Sequence, residues 1–157
     1  MELIEPSKLS KRKLNELIDS LGGKFSIWER IKLGGIGVGG LVLIPAENPK
    51  LPLRFKDATE SIKVSVEPLK KGLIVSVNNT KEHKWFVAHQ PTLDVSIQEK
   101  PLTQINRKKT PPLMIGLKID QEEFILHSSG WNNKAVYKFF KKLIMLMHPK
   151  SHINKFP

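Results

Sequence analysis

Five histidines, His83, His89, His127, His148 and His152, are the side chains best suited to proton transfer or metal binding near neutral pH. His148 and His152 have the i, i+4 spacing that would aim two imidazoles at one metal, but Pro149 between them breaks the helix this spacing needs. His89 and His127 fall in strand-like stretches, where a hydrogen-bonded structural imidazole is the commoner role. His127-Ser128-Ser129 together with Asp94 holds the residue types of a hydrolytic triad, yet no GxSxG elbow presents a serine for attack. Glu122-Glu123 pairs two carboxylates in an exposed, turn-like stretch rather than in the desolvated setting that acid–base catalysis requires. These residues imply no metal and no cofactor, and the chain reads as non-catalytic.

Gly35-Ile36-Gly37-Val38-Gly39-Gly40 matches the dinucleotide fingerprint GxGxxG by letter. The motif works when its last glycine opens a long helix whose first amides hold a pyrophosphate. Here Leu41-Val42-Leu43-Ile44 favours a strand and Pro45 follows at once, so the glycines read as a turn or bulge beside a buried strand. No lysine followed by serine or threonine completes a phosphate-binding loop.

Charge is the stronger signal. The formal net charge is +11, and its placement is uneven: residues 1–99 carry 15 basic and 12 acidic side chains, residues 100–157 carry 11 and 3. No acid follows Glu123. Such a field attracts polyanions, whether an anionic membrane surface, an acidic protein or nucleic acid. Lysine outnumbers arginine 22 to 4, which favours diffuse attraction over bidentate recognition of bases or phosphates. Two groups stand out as binding candidates: Arg107, Lys108 and Lys109 in a long connection, and Lys134, Lys138, Lys141 and Lys142 near the C-terminal end. The 157 residues contain no cysteine, which excludes disulfides, thiolate metal sites and cysteine nucleophiles. Met1 to Pro6 lacks the basic start and apolar run of a secretory signal, and the uncharged stretch Leu33 to Ala46 falls short of a membrane span. A soluble, cytoplasmic protein is the expectation.

The elements that position these lysines are the clearest in the chain. Leu113, Ile115, Leu117 and Ile119 alternate with more polar residues as a half-buried strand does. Asp120 to Glu123 turns the chain, and Phe124 to His127 returns. At 3.6 residues per turn, Ala135, Val136, Phe139, Phe140, Leu143, Ile144, Leu146 and Met147 share one side of a terminal helix, and the four lysines share the other. Met145 borders the lysine face.

Upstream, Ser7 or Ser10 caps a first helix carrying Leu14, Leu17, Ile18 and Leu21, which Gly22-Gly23 ends. Lys11-Arg12-Lys13 near its start reads as a solvated face. From Lys24 to Leu33 two patterns compete: Ser26 to Glu29 has capping-box spacing, whereas Phe25, Ile27, Ile31 and Leu33 alternate. We read this segment as a strand. Ala46 to Pro52 reads as a loop. Strands then follow at Ile62–Val66, Leu73–Val77, Trp85–Ala88 and Leu93–Ile97, with turns at Pro68–Gly72 and Asn78–His83. Connections this short require antiparallel neighbours. Trp85, Phe86, Phe139 and Phe140 read as core, although Trp85, Phe86 or Trp131 would be the stacking platforms if the partner were nucleic acid. Glu99 to Pro112 is a long basic connection.

The expected fold is therefore α+β in one domain spanning 1–157: a helix over about 8–21, a β-rich body over about 25–128, a C-terminal helix over about 131–147 and a tail at 148–157. The body is an antiparallel meander or partly closed barrel with the C-terminal amphipathic helix packed on the sheet. From Ile62 to Met147 this order of elements is similar to pleckstrin-homology-like barrels, in which such a helix plugs one end. The extra N-terminal helix departs from that pattern, no motif carries residues over, and the resemblance implies an architecture without an activity. The functional expectation is a binding module that docks its basic half on a polyanionic or acidic partner, with a nucleic-acid-binding protein or a structural subunit of an assembly as alternatives.

Overall fold

Alternating apolar residues build most of this molecule, and the registers follow from them. The computed structural model describes residues 1–33, 35, 37–49, 62–99, 113–128 and 133–147. Strands β1 (Glu2–Ile4), β2 (Val38–Leu43), β3 (Ile62–Leu69), β4 (Gly72–Asn78), β5 (His83–His89), β6 (Leu93–Glu99), β7 (Leu113–Ile119) and β8 (Glu122–Ser128) accompany helices α1 (Lys11–Ser20), α2 (Ile27–Leu33) and α3 (Asn133–Met147). All eight strands lie in one antiparallel sheet, in the order β1-β5-β4-β3-β2-β8-β7-β6. Cross-strand partners pair apolar residues on the inner face: Val64 with Val77, Val75 with Phe86, Val95 with Leu117 and Leu117 with Phe124.

The sheet curls strongly without closing. Phe86 on β5 and Phe124 on β8 meet edge to face with ring centroids 5.3 Å apart. Their strands are four positions apart in the sheet, which would be about 19 Å in a flat one. At the ends of the order, the N-terminal amine preceding β1 lies 4.0 Å from Asp120 in the β7–β8 turn, but no ladder joins β1 to β6 among the described residues. The concave side holds the main core, and Val136, Phe139, Phe140, Leu143 and Ile144 of α3 belong to it. A second cluster forms on the convex side, where Leu17, Ile18 and Leu21 of the α1 region meet Leu69, Ile74, Val87 and Trp85. Strand β4 is therefore buried on both faces, with Leu73 and Val75 in the main core and Ile74 in the second cluster.

Several boundaries differ from the sequence expectation, each for a physical reason. The segment read as a strand from Lys24 to Leu33 is instead helical over Ile27–Leu33. Its capping box closes in both directions: Ser26 N–H donates to Glu29 Oε2 at 2.7 Å, and Glu29 N–H donates to Ser26 Oγ at 3.3 Å. Ser10, rather than Ser7, caps α1 through Lys13 N–H, while Pro6–Lys8 forms a single 3-10 turn. The turn expected over Pro68–Gly72 narrows to Lys70-Lys71, because Leu69 pairs with Gly72. Pro68 is tolerated in the strand because it lies beyond Val66, the last residue of β3 paired with β2 among the described residues, so its missing N–H costs no rung of that described ladder. The Asp120–Glu123 turn likewise narrows to Asp120-Gln121, with Asp120 at φ 55° and Ile119 paired to Glu122. The glycines before Leu41 do form a bulge in β2, with Gly40 at φ 71°. Strand β1, three residues with no alternation, was not expected. The basic connection 100–112 and the tail 148–157 lie outside the described residues.

One side chain substitutes for a length of strand. The β2–β8 ladder ends at Leu43 opposite Leu126, so the backbone of Ile125 has no partner from β2. The chain leaves β2 through a 3-10 turn at Pro45–Glu47, and the buried amide of Asn48 comes back to fill the gap. Its Oδ1 accepts from Ile125 N–H at 2.8 Å, and its Nδ2 donates to Ile125 C=O at 3.0 Å and to Ile44 C=O at 2.9 Å. Substituting Asn48→Ala strands these backbone groups, and we expect it to cost about 1–3 kcal/mol. Urea unfolding of the wild type and the variant measures this, and a midpoint unchanged by the substitution would show that water replaces the amide without loss.

Candidate functional site

The groups with catalytic potential are dispersed or occupied. His127 is buried on β8, and its Nε2 donates to the Glu47 carboxylate. Ser128 Oγ accepts from Leu113 N–H at 2.8 Å and donates to Asn133 Oδ1, which ties β8 to the first residue of α3. Asp94 on β6 stands opposite Lys118, four residues along β7 from Met114, the partner of His127. No triad is assembled from these three residues. His83 and His89 occupy opposite ends of β5, and His148 and His152 lie outside the described residues. Glu122 and Glu123 begin β8 and, with Glu47 and Lys118, line a shallow cavity of about 330 Å³. Among the described residues no group of three His, Asp or Glu side chains is placed to hold a metal ion.

The cationic candidates lie on α3. Val136, Phe139, Phe140, Leu143 and Ile144 turn one side of this helix into the core. Lys134, Lys138 and Lys141, spaced i, i+4 and i+7, are exposed on the opposite side. Among the described residues no carboxylate forms an ion pair with any of the three. The basic cluster at the start of α1 contrasts with this, because Arg12 there is paired with Glu16 at 2.8 Å. Each like-charge neighbour pair on a helix costs about 0.2–0.5 kcal/mol. Burying one large apolar side chain contributes about 1.5–3 kcal/mol, so the inward side holds α3 together despite the lysines.

Lys142 departs from the expected free face. It is half-buried, and its Nζ donates to the carbonyl of Lys32 in the last turn of α2, the end of the helix that favours a cation. The apolar side is also narrower than expected: Ala135 is exposed and Leu146 is 38% exposed, because both lie beyond the arc that faces the sheet. Arg107, Lys108 and Lys109 lie outside the described residues, as does Trp131. Phe86 is fully buried and Trp85 is half-buried with its indole N–H donated to His83 Nε2 at 3.1 Å, so neither offers a free face for base stacking.

Reading α2 as a strand hid a second surface feature. Ile27, Trp28 and Ile31 are 73%, 76% and 63% exposed. Helical spacing puts them on one arc, and the capping-box letters Ser26 and Glu29 were the signal that could have revealed it. The Glu29 carboxyl is held below its ordinary value of 4.5, first by the Ser26 backbone N–H, then by the Ser26 hydroxyl, with Lys70 and Lys32 adding smaller attraction. A lowered folded-state value means the carboxylate stabilises the helix fully above the ordinary range and loses that contribution as pH falls through the lowered value. The structure therefore places an acid-labile clamp at the start of α2. Substituting Ser26→Ala is expected to move the Glu29 titration upward toward its ordinary value, as read from side-chain chemical shifts, and an unmoved titration would remove the hydroxyl from the clamp.

No helix among the described residues is long and apolar enough to cross a membrane. Comparison of the chain with protein-family models, with curated proteins and with solved structures gave no match.

Proposed function

We propose that this chain is a non-catalytic binding module that docks reversibly on an anionic membrane surface through Lys134, Lys138 and Lys141, at a cytoplasmic leaflet. The observation that carries the reading is the side of α3 itself: three exposed lysines with no ion-paired carboxylate among the described residues, on a helix fixed by five core residues. Anionic headgroups attract each lysine near them by about 1 kcal/mol, so three together amount to roughly a hundredfold in partitioning. Mobile ammonium groups suit a laterally mobile, diffuse negative surface; a specific acidic protein or phosphate would be better matched by arginine forks, and arginine is scarce. Nucleic acid is the weaker reading, since arginine is scarce and the strand aromatics Phe86 and Trp85 offer no open stacking platform beside the lysine face. The meander β2 to β5, the return through β6 to β8 and the terminal helix within the same core support a pleckstrin-homology-like reading of the architecture, which adds no function by itself.

Binding to phosphatidylcholine vesicles with and without phosphatidylserine, at low and high salt, tests this. The wild type is expected to bind only the anionic vesicles, with affinity falling as salt screens the lysines. Reversing charge at Lys134→Glu, Lys138→Glu and Lys141→Glu together is expected to lower that affinity by at least about a hundredfold. Absence of wild-type binding at low salt, or equal binding by the triple variant, would overturn the proposal.

A further inference from the structure

We infer that the exposed side of α2 is a wedge that enters the interfacial layer of an anionic bilayer, an inference that rests on the membrane reading above. Two isoleucines and a tryptophan, each more than half exposed, stand together on seven residues of helix. Isolated surface hydrophobes need no explanation, but a cluster of large ones held out in water marks a surface that meets something apolar.

The wedge is held in place. The Ser26–Glu29 capping box fixes its start, and Arg30 Nε donates to Phe25 C=O at 2.7 Å. Lys142 of α3 ties its last turn through the Lys32 carbonyl. That tie also sets α2 against the helix bearing the lysine face, and the next turn of α3 adds Met145 and Leu146, 55% and 38% exposed. Apolar and cationic side chains thus belong to two helices that touch.

Charge identifies the occupant. Lys32 is exposed on the same short helix, while Lys24 and Lys70 beside it are paired with Glu67 at 3.9 Å and Glu29 at 4.0 Å. A second copy of this chain would bring Lys32 against its own image, in a protein already at +11. An anionic bilayer presents negative headgroups at the level of the lysines and hydrocarbon just below, where isoleucine is drawn inward and tryptophan settles at the boundary. Electrostatic attraction brings the protein to the surface, and the wedge supplies a contribution that salt does not screen.

The experiment uses the full chain, phosphatidylcholine–phosphatidylserine vesicles carrying acyl-chain-brominated lipid, and two variants at exposed positions, Trp28→Phe and the pair Ile27→Ser with Ile31→Ser. Bromine on the upper acyl carbons, just below the headgroups where tryptophan settles, is expected to quench wild-type tryptophan emission, and Trp28→Phe is expected to abolish most of that quenching while Trp85 and Trp131 remain. The serine pair is expected to lower affinity about tenfold or more and to make the remaining binding more sensitive to salt. Binding by the wild type without acyl-chain quenching, and undiminished in the serine pair, overturns the wedge and leaves the lysine-face proposal standing. No binding by the wild type at low salt overturns both. A wild type that sediments as a dimer and a serine pair that sediments as a monomer, again without quenching, assigns the patch to a second copy and overturns the wedge.

Discussion

The edge-to-face contact of Phe86 and Phe124 across the interior is the constraint on which the rest of the structure depends. Two rings from strands four places apart can touch only if the sheet bends around them, and bending turns eight strands into a trough. A trough lined by valine, leucine and isoleucine needs something to fill it. The apolar side of α3 does so, with Phe140 fully buried and Phe139 packed edge to face on it at 5.3 Å. Because that side is committed inward, the helix has no freedom to hide Lys134, Lys138 and Lys141. Their exposure is a consequence of the core and not an independent feature.

The same logic explains what could be read from the sequence. Strands β3, β4, β6 and β7 were legible because alternation reports burial on one face directly, and the inner partners Val64, Val75, Val95 and Leu117 are the residues that alternate; β5 and β8 were legible as short apolar runs returning after polar turns. The lysine side of α3 was legible for the matching reason, at period 3.6. Turn widths were misjudged because polar residues such as Glu122 and Glu123 can also occupy the outer positions of a strand end. Strand β1 has three residues and no repeat to detect, and its pairing with β5 is set by tertiary contact alone. The segment around Trp28 failed differently: its apolar residues fit two periods at once, and Ile27, Trp28 and Ile31 all stay out of the main core. A pattern calibrated on burial has no purchase on hydrophobes that stay in water.

Local hydrogen bonding decided what hydrophobic pattern could not. Ser26 and Glu29 satisfy each other's backbone amides and so make a short helix preferable to a strand without a neighbour. Asn48 does the reverse at the end of β2, where one amide stands in for a strand residue that the chain has carried elsewhere. Both devices depend on one or two side chains rather than on a repeat, so they leave weak traces in sequence while fixing where whole elements begin and end.

The lysines of α3 bear on stability as well as on any partner. Lys134 sits in the first turn, where the helix dipole disfavours a cation, and Lys138 has like charges one turn away on both sides. Each of these terms is small beside the burial of Phe140 or Leu143, so the helix persists in water with its charges unrelieved. An anionic surface would remove that repulsion, and whatever lowers the free energy of the bound state relative to the free one also stabilises the folded chain against unfolding. Docking and helix stability are then linked through the same side chains: a substitution that relieves the repulsion in the free protein also weakens the attraction that would replace it.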